Sequence, residues 1–135
     1  MNELTLEARV ENLDEVLAFV DSHLEQLDCP LKAKMQIDVA VEELFVNIAS
    51  YAYGPEGGTA TVSVSAETDP HRVLITLSDS GIPYNPLLRD DPDVTLPAEK
   101  RGIGGLGIYM VKQSMDDVTY EYIDGRNNIT IIKNL

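Results

Sequence analysis

Apolar and polar positions along this chain change period several times, and each change marks an element. "LTLEARV", Leu4 to Val10, alternates and predicts a strand. Leu13, Val16, Leu17, Val20, Leu24 and Leu27 then recur at helical spacing. Asn12 stands where it can cap this helix, with Glu15 in the capping-box position. Pro30 breaks the pattern, and a second helix is predicted from about Leu31 to Tyr53, ended by "GPEGG". Thr59 to Ala66 and Arg72 to Asp79 alternate as strands, with "DPH" between them as a hairpin turn. From Ile82 to Arg101, prolines at 83, 86, 92 and 97 and scattered charges predict a long loop with little regular structure. Loops of that length are usually lids, binding loops or disordered segments. A helix follows to about Met115, and "VTYEYID" and "NNITIIKNL" around Gly125 read as a closing hairpin.

The order is therefore β-α-α-β-β-loop-α-β-β. Strands joined mostly by hairpins, with helices to cover them, predict an α+β fold. It is a two-layer sandwich whose mixed, mostly antiparallel sheet is covered by helices on one face. The 135 residues suit one domain spanning 1–135, with no internal repeat and no linker to divide it.

Composition narrows the partners. A hydrophobic fraction of 44% is enough for a real core. The net charge of −13 argues against non-specific binding to nucleic acid or to an anionic membrane, both of which need clustered Lys and Arg. It permits a protein partner without specifying one. The single cysteine, Cys29, excludes an internal disulfide, fits a reducing compartment and reads as a packing residue. No secretory leader is legible at the start, and no run approaches the roughly 18 apolar residues of a membrane span, so a cytoplasmic protein is expected. His23 reads as an ordinary helix-surface residue and His71 as a turn residue.

Three places carry candidate chemistry. On the second helix, Ile37, Val41, Leu44, Ile48 and Ala52 form one stripe, and Glu43 and Asn47 stack along its border. Glu42 points away, roughly 140° around the same wheel from Asn47. The pair could be a solvated flank. Alternatively, the Asn47 oxygen could ligate a hydrated Mg²⁺ held mainly by phosphates, while the Glu43 carboxylate orients or deprotonates a hydroxyl. Asp79 ends a strand just before Gly81. It could cap a turn, or accept a hydrogen bond from a base amino group, with Gly81 allowing close approach of the ligand.

The third place is "KRGIGGLG". Gly102, Gly104 and Gly107 fit a dinucleotide fingerprint, and Glu121 lies about where a ribose-binding acid would stand. That reading needs a hydrophobic strand directly before the first glycine, and "DVTLPAEKR" is not one. No Walker sequence is present either. Gly102, Gly104, Gly105, Leu106 and Gly107 instead form a backbone-rich run at a helix start, beside Lys100 and Arg101. Such a run suits a phosphate cradle, and a simple hinge is the competing reading.

These three signals, E-x-x-x-N on a helix, D-x-G after a strand and G-x-G-G-x-G after a long loop, resemble in their order the GHKL ATPase superfamily. Within it, "VEELFVNIASYAY", "DSGIPYNP" and "RGIGGLGIYMVKQSMDDVTYE" are most similar to the stand-alone anti-sigma-factor serine/threonine kinases of the RsbW and SpoIIAB type. The resemblance covers nearly the whole chain and implies the Bergerat ATP-binding fold. It implies Glu43 as general base, Asn47 as the Mg²⁺ ligand, and Asp79 beside Gly81 as the reader of adenine. It further implies Thr130 as the polar strand residue supporting that aspartate, the glycines around the phosphates of ATP, and Arg101 near the γ-phosphate. Pro83 departs from the second glycine many members carry. The implied function is transfer of the γ-phosphate to a Ser or Thr of a STAS-type antagonist, alternating with binding of a sigma factor. A homodimer is also implied. Two alternatives are a histidine-kinase-type catalytic domain, against which Glu43 counts, and a non-enzymatic nucleotide-switched module, which has no need of Glu43.

Overall fold

The computed structural model describes residues 2–88 and 106–135. Its elements follow the expected order. They are β1 (Glu3–Glu7), α1 (Leu13–Gln26), α2 (Leu31–Tyr51), β2 (Thr59–Thr68), β3 (His71–Asp79), α3 (Leu106–Ser114), β4 (Asp117–Ile123) and β5 (Arg126–Asn134). Short 3-10 turns lie at Val10–Asn12 and Pro86–Leu88.

The five strands form one sheet in the order β1-β2-β3-β5-β4. All pairs among the described residues are antiparallel, so the sheet carries no parallel pair there. β5 lies between β3 and the edge strand β4, reached through a tight return at Asp124 and Gly125. Both residues have positive φ, 54° and 77°, as a type I′ hairpin turn requires.

Alternation sorts the sheet into two faces. Val62, Val64, Val73, Ile75, Leu77, Ile129 and Ile131 point to one side and are buried. The helices cover that side. α1 contributes Val16, Val20 and Leu24, and α2 contributes Ile37, Val41, Leu44, Phe45 and Ile48. Ile108 and Val111 of α3 complete the core. Full burial of each large side chain is worth about 1.5–3 kcal/mol, so most of the fold's stability resides in this layer. The other face of the sheet is mostly polar, with Leu74 opposite Ile132 as an apolar pair on it. Hydroxyl pairs cross it from strand to strand, Thr5 to Thr61 at 2.9 Å and Thr76 to Thr130 at 2.8 Å.

Three local expectations are corrected. The first strand ends at Glu7, because the chain turns into a 3-10 turn from Val10. Asn12 makes no side-chain cap on α1; its amide turns back and donates to the Glu7 carbonyl at 2.9 Å, tying the turn to β1. The second helix stops at Tyr51, two residues short of Tyr53, whose hydroxyl is used elsewhere. Among the described residues no helix is long and apolar enough to cross a membrane.

Candidate functional site

At the end of the sheet where β3 stops, the helix layer and the sheet separate around a cavity of about 420 Å³. Its floor is apolar, built from Leu44 and Ile48 of α2, Leu77 of β3 and Ile129 of β5. Its walls carry Tyr84, Pro86 and Tyr120. Polar groups enter at three points, Asn47, Asp79 and Asn127. A mostly apolar pocket with a few convergent polar atoms suits a flat heterocycle held by a small number of directed hydrogen bonds.

Asp79 is the last residue of β3 and is 5% exposed. Its Oδ1 accepts from the Gly81 N–H at 2.9 Å and from Asn127 Nδ2 at 2.9 Å. The Gly81 bond is the Asx turn expected of an aspartate before a glycine. It engages one carboxylate oxygen, so the turn and ligand readings are compatible.

Gly81 has a different reason to be glycine than ligand approach. A Cβ there would fall against the backbone carbonyl of Ala52, far inside van der Waals contact. The next residue, Ile82, donates its N–H to that same carbonyl at 3.2 Å. The loop leaving β3 thus presses onto the C-terminus of α2 and satisfies one of its orphan carbonyls. Tyr53 reinforces the junction: its hydroxyl donates to the Thr59 carbonyl at 2.6 Å and accepts from the Ser80 N–H at 2.7 Å.

On α2, Asn47 lines the cavity and Glu43 lies one turn earlier, half-buried, with Glu42 exposed. The Glu43 carboxylate rests on Gly107, the second residue of α3: a Cβ at 107 would collide with Oε2. Glu43 thus packs against α3 and Asn47 borders the cavity, and both are half-buried. Leu106 opens α3. Lys100, Arg101, Gly102, Gly104 and Gly105 lie outside the described residues.

Thr130 is corrected. It sits on the polar face of the sheet, opposite the cavity, bonded to Thr76. Asn127, three residues earlier and therefore on the other face, is the strand residue that meets Asp79. A signal for it exists in the sequence. Asn127 shares the parity of the buried Ile129 and Ile131, so it is a polar residue on an apolar face. The aromatic walls Tyr84 and Tyr120 come from separate segments and carry no local signature.

Away from the cavity, Cys29 fits the packing reading: burial and then the Asp38 carboxylate push its thiol up, away from reactivity. His23 is half-buried on α1 against the Phe19 ring, at 4.6 Å between centroids.

The family model of the histidine kinase-like ATPase domain matches residues 6–133. The chain belongs to this family. Relatives include the serine/threonine-protein kinase BtrW of Bordetella bronchiseptica, 23% identical over 74% of this chain and 70% of that one. The serine-protein kinase RsbW of Listeria monocytogenes is 32% identical over 66% of this chain and 59% of its own length. That of Bacillus mycoides is 29% identical over 64% and 56%. The chain thus spans less than two thirds of the RsbW relatives it matches. Among solved structures, the SiaB–SiaC complex of Pseudomonas aeruginosa aligns with a TM-score of 0.59, covering 98% of this chain and 89% of that chain at 15% identity. At that identity the likeness establishes the α+β sandwich of the family, which is the fold expected from the strand and helix order.

Proposed function

We propose that this chain binds ATP in the cavity and transfers its γ-phosphate to a serine or threonine hydroxyl of a protein partner. The observation that carries the reading is Asp79, a carboxylate in a mostly apolar cavity, with Asn47 on the same cavity and Glu43 one turn earlier on α2. A carboxylate in such a place accepts from an exocyclic amine and repels a carbonyl, which selects adenine over a 6-oxo purine. The family and the kinase names of its relatives point the same way.

Asn47 fits a Mg²⁺ ligand by its donor type. Among the described residues no group of three or more His, Cys, Asp or Glu could hold a metal ion. A metal at this site would take most of its ligands from the nucleotide phosphates, with the Asn47 side-chain oxygen as a protein ligand. Bound there, it would neutralise charge on the transferring phosphoryl group. Glu43 is the candidate base that orients the attacking hydroxyl. Lys100, Arg101 and the glycines of 102–107 are the candidate phosphate contacts, by their residue types and their place before α3.

The partner belongs to this proposal as well: a STAS-type antagonist as phosphoacceptor, and a sigma factor bound in alternation. Incubation with labelled ATP, Mg²⁺ and candidate STAS proteins tests it. Label on a substrate serine or threonine, lost in Glu43→Ala, is the expected result. Acid-labile phosphohistidine would replace this reading with histidine-kinase chemistry. ATP binding without transfer by either protein would leave a nucleotide-switched module.

A further inference from the structure

Three large apolar side chains stand exposed on one side of α2: Leu31 at 71%, Met35 at 60% and Val39 at 43%. They follow one another at intervals of four residues, and the next step of the same series is Glu43. At about 1.5 Å of rise per residue, Val39 lies roughly 6 Å and Met35 roughly 12 Å along the axis from Glu43. The series winds by about 40° at each step, so Val39 and Met35 stay beside Glu43 on the outer side of the helix, and Leu31 lies at the far edge. Val46, half-buried, falls on that same side just beyond Glu43. A second helix adds to it. The Glu43 carboxylate rests on Gly107 of α3, and Met110, one turn further along α3, is 48% exposed.

An isolated exposed hydrophobic side chain is ordinary, whereas a row of them with a polar rim has the anatomy of an interface. Lys32 and Glu42 are the exposed charges at this rim. From Leu31 to Val41 the only acid is Asp38, held at 3.2 Å by Lys34 on the side that meets Asp21 of α1. In a chain with 23 acidic residues, the row is thus kept clear of charge.

The neighbouring carboxylate says what covers the row. A base at Glu43 acts only on a hydroxyl within hydrogen-bond reach. A protein–protein interface of standard size covers about 800 Å² on each partner, a disc roughly 16 Å in radius. A folded protein that brings a serine or threonine to Glu43 therefore also covers Val39, Met35 and Met110. We infer that these three side chains form the docking surface for the phosphoacceptor protein, with Leu31 at its margin. The acceptor presents an apolar patch beside its phosphorylated hydroxyl. Two unbranched methionines let the surface adjust to that patch. The inference rests on the proposed reading that Glu43 is the base of a protein kinase.

Met35→Gln combined with Val39→Gln removes the apolar surface, keeps good helix formers and adds no charge beside Glu43. Transfer is measured at saturating ATP with the STAS protein that the wild-type chain labels. The double variant is expected to raise the KM for that protein by about tenfold or more, with kcat and ATP affinity within about twofold of the wild type. Met110→Gln should raise the same KM several-fold from the other helix, and Met35→Leu with Val39→Leu should leave it unchanged. An unchanged KM in both glutamine variants overturns the inference. So does a fall in kcat at unchanged KM, which would trace to Glu43 itself. A double variant whose sedimentation shifts at unchanged KM would give the row to a second copy of this chain, which also overturns it. A wild-type chain that labels no STAS protein removes the kinase reading together with this one, whereas labelling with one KM in every variant removes this one alone.

Discussion

The Glu43 carboxylate rests directly on Gly107, in the space that a β-carbon on that residue would fill. Gly107 is the second residue of α3, and its missing side chain leaves room for the proposed base.

Gly107→Ala separates that role from stability. Alanine normally gains up to about 1 kcal/mol over glycine within a helix. The atom it would meet is the tip of a flexible side chain, which can swing away. The melting temperature is therefore expected to hold or rise, while phosphoryl transfer falls by about 10- to 100-fold as Glu43 is displaced. Thermal melts beside a labelled-ATP transfer assay check this. Full transfer by the variant would remove Glu43's position over Gly107 from the mechanism.

Gly81→Ala behaves in the opposite way. Its new methyl group meets the Ala52 carbonyl, and backbone at the end of α2 cannot rotate aside. A loss of about 1–3 kcal/mol is expected in urea unfolding, from overpacking and from the displaced Ile82 to Ala52 hydrogen bond. ATP binding should weaken with it, since Ile82 and Asp79 flank the substitution. A variant as stable as the wild type would mean that the loop does not press on α2.

Asp38 sets a pH dependence far from the cavity. Lys34 Nζ lies 3.2 Å from Asp38 Oδ2 and 3.5 Å from Asp21 Oδ2, joining α2 to α1. Burial first, then the hydrogen bond to Asp21, pushes the Asp38 carboxyl from the usual 3.8 to about 6, against the opposing pull of Lys34. The folded chain therefore holds this proton where the unfolded chain has released it. The stability it contributes is full below about pH 4 and is lost as pH rises through about 6. Asp38→Asn should match the wild type near pH 4 and exceed it above pH 7, because the amide keeps a donor for Asp21 without a titrating charge. Unfolding curves across this range decide it, and a constant difference between the two proteins at every pH would refute the assignment.

Much of the fold was legible in local periodicity. The i, i+4 spacing of Val16, Val20 and Leu24 and the alternation of Val73, Ile75 and Leu77 are short-range patterns, and each side chain faces where its period directs it. Element ends were less legible. Asn12 has a cap's chemistry but donates to Glu7 instead, because β1 brings that carbonyl within reach. In the site, Glu43 and Asn47 were readable as a pair because they share one helix, and Asp79 because the Asx turn to Gly81 is local.

The sequence by itself determined the order of elements, the apolar face of each, and the placement of a carboxylate and an amide one turn apart on α2. These depend on φ, ψ and nearest neighbours. Only the tertiary structure decided which strand residue meets Asp79. That choice belongs to the β3–β5 register, which sets Asp79 opposite Asn127 and Thr76 opposite Thr130, and a strand's period of two sends those rows to opposite faces. The same holds for the cavity's aromatic walls. Tyr84 and Tyr120 are far apart in the chain, and only the packing of β4 and the 82–86 loop around β5 brings them to one ligand-sized space.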